Sequence, residues 1–267
     1  GAAMALVSLK KEGPVGIITF NRPEARNALN EQMLDELRDA VRAVMEAGDI
    51  RVLVFTGRSK SFISGADTST LNDPDHVAVL AYSYKGRNIF REIELLPIPT
   101  IAAINGYAFG GGLEFALCCD IRVAAKSAKM GLPEVGLGIT PGFSGTQRLP
   151  RVIGPGLAKE MMYSGKPITA GEALSYGLVN HVYENESLMD DVMALAGSIA
   201  KNSPYAISFV KKEIDRGLDL DIQSGLDLET GYLGMIFGSK DQLEGFAAMK
   251  EKRAPEFLNP GESLPGC

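Results

Sequence analysis

Glu114 stands two residues past the last of three consecutive glycines, Gly110, Gly111 and Gly112, within the stretch IAAINGYAFGGGLEFALCCD of residues 101–120. Ile101 to Ile104 read as a buried strand, Asn105 and Gly106 break it, and the glycines lead into a short helix expected to begin near Leu113. Glycines strip the Cβ atoms from one side of the backbone, so a ligand can meet the free N–H donors of a helix start. Such donors suit an anion or a developing oxyanion. A carboxylate in the first turn, favoured there in its ionised form, completes a catalytic pairing. A bland alternative stays open on this stretch alone: the glycines permit tight helix-to-strand packing and Glu114 is a solvated first-turn residue.

Other chemistries have little raw material. His76 and His181 are the only histidines and Cys118, Cys119 and Cys267 the only cysteines among 267 residues, which argues against a His-centred triad, a zinc cage or a disulfide framework. The expected setting is reducing and cytoplasmic. A formal charge of −6 with interspersed signs and no Lys/Arg block argues against nucleic acid as a partner. No apolar run reaches the length of a membrane span. Gly1-Ala2-Ala3 ahead of Met4 are set aside as an expression leftover.

The elements that must position Glu114 follow from periodicity. Val15 to Phe20 reads as a strand, and Asn30 caps a helix whose Leu34, Leu37, Val41 and Val44 or Met45 share a face up to Gly48. Val52 to Phe55 is a continuous apolar strand of the kind covered on both faces in a parallel sheet. The segment 56–67 is a polar loop in which Asp67 or Thr68 can cap a helix start. Residues 68–80, broken at Asn72, Asp73 and Pro74, read as a mobile loop, and a helix is expected from Ala81 to Leu95. Further strands are expected at 121–124 and 129–132, and a second glycine-rich turn at 140–146. Helices are expected at 156–163, 170–176, 187–202, 205–216, 221–237 and 240–252, interrupted by one strand near 179–183. Sheet-forming units thus fill the first two thirds and helices the last third, an enzyme core with a helical appendage.

NRPEARNALN (21–30), SFISGAD (61–67), NGYAFGGGLEFALCCD (105–120), LPEVGLGITPGFSGTQRLPRVIG (132–154), ITAGEALSYGLVNHV (168–182) and DQLEGFAAMKEKRAPEF (241–257), in this order, resemble the enoyl-CoA hydratase/isomerase, or crotonase, family. The resemblance spans nearly the whole chain and implies an α/β spiral of repeated strand-strand-helix units over residues 4–200. It further implies a helical assembly region over 201–267 that builds trimers or hexamers.

By motif position the resemblance makes the amides of Ala66 and Gly111 an oxyanion hole for an acyl-CoA thioester, and Glu114 and Glu134 the catalytic carboxylates. It places Ala25, Arg26, Ser64, Gly65, Asp67, Thr68 and Phe257 along the CoA path. Leu258 stands where many hydratases carry Lys, which removes one phosphate contact. Arg26 as a surface charge, Asp67 as a helix cap and Glu134 as a turn-capping carboxylate are the plain alternatives. The implied reaction adds water to a 2-enoyl-CoA, a lyase step of fatty acid metabolism, with no metal or cofactor beyond the CoA of the substrate. The rivals are double-bond isomerisation, which needs only the Glu134 carboxylate, and hydration of a cyclic or aromatic-pathway acyl-CoA. RNA binding, associated with some relatives, and a non-catalytic CoA-binding scaffold are more remote.

Overall fold

A computed structural model describes residues 5–71 and 75–263; the breakers Asn72, Asp73 and Pro74, and Cys267, lie outside them. The chain starts with two antiparallel strands, β1 (Val7–Glu12) and β2 (Val15–Phe20), followed by helix α1 (Glu31–Ala47). Asn30 caps α1 by accepting from the Met33 N–H, and Gly48 ends it in the left-handed region. Leu34, Leu37, Val41 and Val44 are buried, as the periodicity predicts, and Met33 joins them.

A winding pattern then takes over. β3 (Val52–Gly57) is followed by the short β4 (Ser61–Ile63) and by helices α2 (Thr68–Leu71) and α3 (His76–Glu94). β5 (Thr100–Ile104) is followed by the short β6 (Tyr107–Phe109) and helix α4 (Gly111–Cys118). β7 (Ile121–Ala125) is followed by the short β8 (Lys129–Gly131), then α5 (Gly145–Ile153) and α6 (Pro155–Ser164). β9 (Ile168–Thr169), α7 (Ala170–Ser175) and β10 (His181–Tyr183) close the strand-bearing part.

The long strands and the short β10 form one sheet in the order β1-β2-β3-β5-β7-β10, parallel from β2 onward, and the other short strands a second sheet in the order β4-β6-β8-β9. Each turn therefore lays one strand in each sheet and returns through helix. The result is the α/β spiral that the resemblance implies.

Helices continue to the C-terminus: α8 (Leu188–Ala200), α9 (Pro204–Gly217), α10 (Ile222–Ile236), α11 (Lys240–Glu251) and α12 (Pro260–Ser263). α8 lies across β2, β3, β5 and β7, burying Leu188, Val192, Ala196 and Ala200, while α9 and α10 pack on each other. Arg51, just ahead of β3, donates to the carbonyls of Ala200, Phe257 and Leu258 and ties the C-terminal segment to the core.

Three local expectations change. The segment read as a loop over 68–80 carries α2 and the first turn of α3, which begins at His76 because Asp75 caps it by accepting from the Val77 N–H. His76 is therefore a helix residue, and His181 lies in β10 at the edge of the larger sheet. The anchor helix starts at Gly111 rather than near Leu113, and Tyr107–Phe109, between the break at Gly106 and the glycines, is a strand of the small sheet.

Candidate active site

The small sheet explains why residues far apart in sequence meet. β4 pairs with β6 (Ile63 opposite Ala108) and β6 with β8 (Phe109 opposite Gly131), all parallel. The segments leaving these three strands, at 64–66, 110–111 and 132–134, therefore emerge side by side. The Gly110 N–H donates to the Gly131 carbonyl at 2.9 Å, and a Cβ on Gly110 would lie 3.7 Å from Gly65 Cα and 2.9 Å from Glu134 Oε1. Gly110 itself has φ of 51°, a conformation that side chains resist.

Ala66 is oriented by a segment far earlier in the chain. Leu29 forms a parallel bridge to it, donating to the Gly65 carbonyl at 2.8 Å and accepting from the Asp67 N–H at 2.7 Å. Backbone groups alternate along an extended segment, so the Ala66 N–H points away from Leu29. Gly111 is the first residue of α4, and its N–H has no acceptor inside the helix. Two outward amides, one from each loop, thus stand at the same end of the small sheet.

Glu114 is 2% exposed in the first turn of α4. Its Oε1 accepts from the N–H groups of Phe143 at 3.0 Å and Gly145 at 2.7 Å, so a neighbouring turn fixes the carboxyl group. Burial, offset by these two bonds and reinforced by the nearby Glu134 charge, pushes its pKa up to about 7. The bland reading of a solvated first-turn residue does not hold.

Glu134 begins the 3-10 turn Glu134–Leu137 behind Pro133. Among the described residues its Oε2 is buried with no hydrogen-bond partner, and burial raises its pKa as well. A buried carboxylate oxygen without a partner is unfavourable unless something else meets it.

The turn that holds Glu114 is itself held. Ser144 sits at a φ of 91°, and Arg148 of α5 donates to its Oγ while making a two-pronged pair with Glu94 at 2.9 and 2.7 Å. Phe143, Gly145, Arg148 and Glu94 are site residues that sequence reading missed. The GFSGT turn was visible, but nothing in it announced that its amides would face a carboxylate.

The residues expected along a CoA path divide. Ser64 donates its N–H to the Arg26 carbonyl at 3.1 Å and its Oγ to the Ala25 carbonyl at 3.5 Å, which joins the NRPEA and ISGAD segments. Arg26 and Ser64 line an open cleft of about 500 Å³ together with Arg58, Lys60, Tyr107 and Phe109. Arg58 and Lys60 are further cations that sequence reading passed over. Asp67 is engaged with Arg22 at 2.6 Å and with Ser69, which hold its carboxyl below the usual range, so it acts as the cap of α2. Thr68 is exposed as the first residue of α2. Phe257 is not in the cleft lining; its ring rests beside Gly245 of α11. Among the described residues, no group of three or more His, Cys, Asp or Glu side chains is placed to hold a metal ion.

A two-sheet spiral with paired carboxylates at the end of its small sheet defines the crotonase class of protein. The chain belongs to the enoyl-CoA hydratase/isomerase family, whose model matches residues 10–260. It is 43% identical over 254 residues to the crotonyl-CoA hydratase of Syntrophomonas wolfei, an alignment covering 95% of this chain and 98% of that protein. It is also 43% identical over 251 residues to the short-chain-enoyl-CoA hydratase of Clostridium acetobutylicum, covering 94% and 96%. Among solved structures, an enoyl-CoA hydratase from Bacillus anthracis superposes with a TM-score of 0.92 at 40% identity, covering 96% of this chain and 99% of that one.

The raised pKa of Glu114 has a stability consequence. A carboxyl whose folded pKa exceeds its ordinary 4.5 keeps its full contribution below that value and loses stability as pH rises through about 7. The span corresponds to roughly 3 kcal/mol. Glu114→Gln keeps an acceptor for the two amides and removes the titration. The variant should therefore gain stability relative to the parent between about pH 5 and pH 8 in urea unfolding, and an equal difference at both pH values would contradict this assignment.

Proposed function

We propose that the protein hydrates 2-enoyl-CoA thioesters to 3-hydroxyacyl-CoA. The observation that carries this reading is the joint placement of Glu114 and Glu134 beside the outward amides of Ala66 and Gly111. Addition of water at Cβ requires negative charge to collect on the thioester oxygen, and two fixed N–H donors stabilise it where it forms, each typically worth about 3 kcal/mol. Glu114, ionised, takes a proton from the attacking water. Glu134, protonated, delivers its proton to Cα, and the two carboxyl groups exchange roles in the reverse reaction. Burial raises the pKa of both carboxyl groups, which supports their use as an acid–base pair.

Isomerisation needs one carboxylate, whereas the burial and double anchoring of Glu114 support a second acid–base group kept for water. The reaction as written draws on no metal and no cofactor other than the CoA of the substrate. The direct test is loss of enoyl absorbance when crotonyl-CoA is supplied, with appearance of the 3-hydroxy product. Absence of turnover with any 2-enoyl-CoA would end the proposal.

The CoA phosphates belong, in this reading, to Arg26, with Arg58 and Lys60 beside it, and the backbone around Ala25, Ser64, Gly65 and Thr68 follows the pantetheine arm. Charge-assisted contacts to a phosphate affect substrate and transition state alike. Arg26→Ala should accordingly raise KM about tenfold with kcat nearly unchanged. A fall in kcat alone would move Arg26 out of the binding role.

The division at about residue 200 and an assembly role for the helices beyond it are part of the same proposal. No residue of α10 is buried, and Leu226, Leu233, Met235, Phe237, Leu243, Phe246 and Met249 expose large apolar surface. Light scattering should give a mass that is a multiple of three chains. Cys118 and Cys119 are buried free thiols, which supports a reducing cytoplasmic setting. No helix of the described residues is long and apolar enough to cross a membrane.

A further inference from the structure

Phe143 is held against the site from three sides. Its N–H donates to Glu114 Oε1, and its ring lies on Gly111, where an added Cβ would stand 3.1 Å from Phe143 Cδ2 and 3.3 Å from Leu29 Cδ1. On the opposite side the ring is pressed on Gly86 of α3, where a Cβ would come within 2.6 Å of Phe143 Cε1. Tyr82 and Phe90, both on α3, meet it edge-on at 5.2 and 5.4 Å, and the Tyr82 hydroxyl is fixed by the Leu29 carbonyl at 2.7 Å. Phe90 in turn packs on Phe115 at 5.2 Å, so the ring has no room to swing back into α3. It is 3% exposed.

We propose that Phe143 sets the acyl-length limit of this site, walling off the space beyond the reacting double bond so that short 2-enoyl thioesters are accepted and long ones rejected. The inference rests on the hydratase reading. A thioester oxygen on the Gly111 amide and a β-carbon facing Glu114 leave the next carbons of the acyl chain beside the residue that touches both groups. That residue is Phe143. Its ring is rigidly backed by α3, so a longer chain meets a wall rather than a movable side chain. Gly86 belongs to the same device: lacking a Cβ, it lets the ring lie back far enough to leave room for a four-carbon substrate.

The test compares kcat/KM for crotonyl-CoA and 2-decenoyl-CoA in the parent, Phe143→Ala, Phe143→Leu, Gly86→Ala and the Gly86→Ala/Phe143→Ala double variant. The parent should favour crotonyl-CoA. Phe143→Ala should raise the decenoyl-to-crotonyl ratio at least ~10-fold, the scale on which pocket volume discriminates between chain lengths, with Phe143→Leu in between. Gly86→Ala should push the ring toward Gly111 and lower crotonyl turnover, and the same change should have little effect once Phe143 is Ala. A parent that handles both substrates equally, or ratios unchanged in both Phe143 variants, would overturn the inference. Phe143→Leu keeps the test alive if the alanine variant does not fold. No hydration of either substrate by the parent would refute the hydratase reading instead, a result distinct from active enzyme with an unchanged ratio.

Discussion

Glu114→Gln and Glu134→Gln each lower the kcat for crotonyl-CoA hydration by ~10²- to 10⁴-fold while KM changes little, because each removes proton transfer in the transition state and leaves the amide donors in place. The double variant loses far less than the product of the two, since the carboxyl groups act as a unit. pH separates their roles. In the parent, kcat/KM falls as pH drops below about 7, where the buried Glu114 takes up its proton and ceases to be a base. That acid limb disappears from the residual activity of Glu114→Gln. Steady-state rates of both variants from about pH 5 to pH 9 check the expectation, and turnover unchanged by either substitution would remove the two-carboxylate mechanism.

Gly112→Ala is the second large expected effect. An added Cβ would lie 1.9 Å from the Ile63 carbonyl oxygen, a backbone atom of β4, so α4 must move. The movement displaces the Gly111 amide and Glu114 together, because both belong to the first turn of that helix. Loss of donor alignment costs ~10²- to 10³-fold in kcat, and overpacking costs about 1–3 kcal/mol of stability. Gly156→Ala in α6, where a Cβ meets nothing within 4 Å, serves as the matched control and should leave both activity and thermal midpoint close to the parent. A fully active Gly112→Ala enzyme would show that the helix start is not under this constraint.

Sequence patterning exposed the parts of the fold whose physics is local. The α1 stripe, its Asn30 cap and Gly48 terminus, the buried runs of β2, β3 and β5, and the C-terminal helices are all written in periodicity and capping residues. β1 was silent because the residues after Val7 are all exposed and, apart from Leu9, polar, so no buried face alternates along it. β4, β6 and β9 span two or three residues each, too few for alternation to register. The start of α3 was hidden because His76 to Leu80 mixes β-branched and apolar residues, and Asp75 acts as a cap only once the helix exists.

The same division applies to the candidate site. Glu114 and the glycine run could be picked out by residue type, but Glu134, twenty positions later, was connected to them only through family resemblance. Their adjacency depends on parallel pairing of β6 with β8, which no local pattern encodes. Phe143 and Arg148 were unreadable for a related reason: their roles lie in a main-chain amide aimed at another helix and in an ion pair with Glu94 of α3.

The order in which the chain is made gives α8 a second meaning. Every group assigned to chemistry, and the turn that steadies Glu114, precedes residue 149, yet Leu188–Ala200, which packs its apolar side chains across β2, β3, β5 and β7, follows it by some forty residues. A ribosome therefore releases the reacting groups well before the helix that shields the sheet behind them. Nascent chains halted between these two points present a greasy, uncovered surface, and they are the species on which chaperone capture and early aggregation should concentrate.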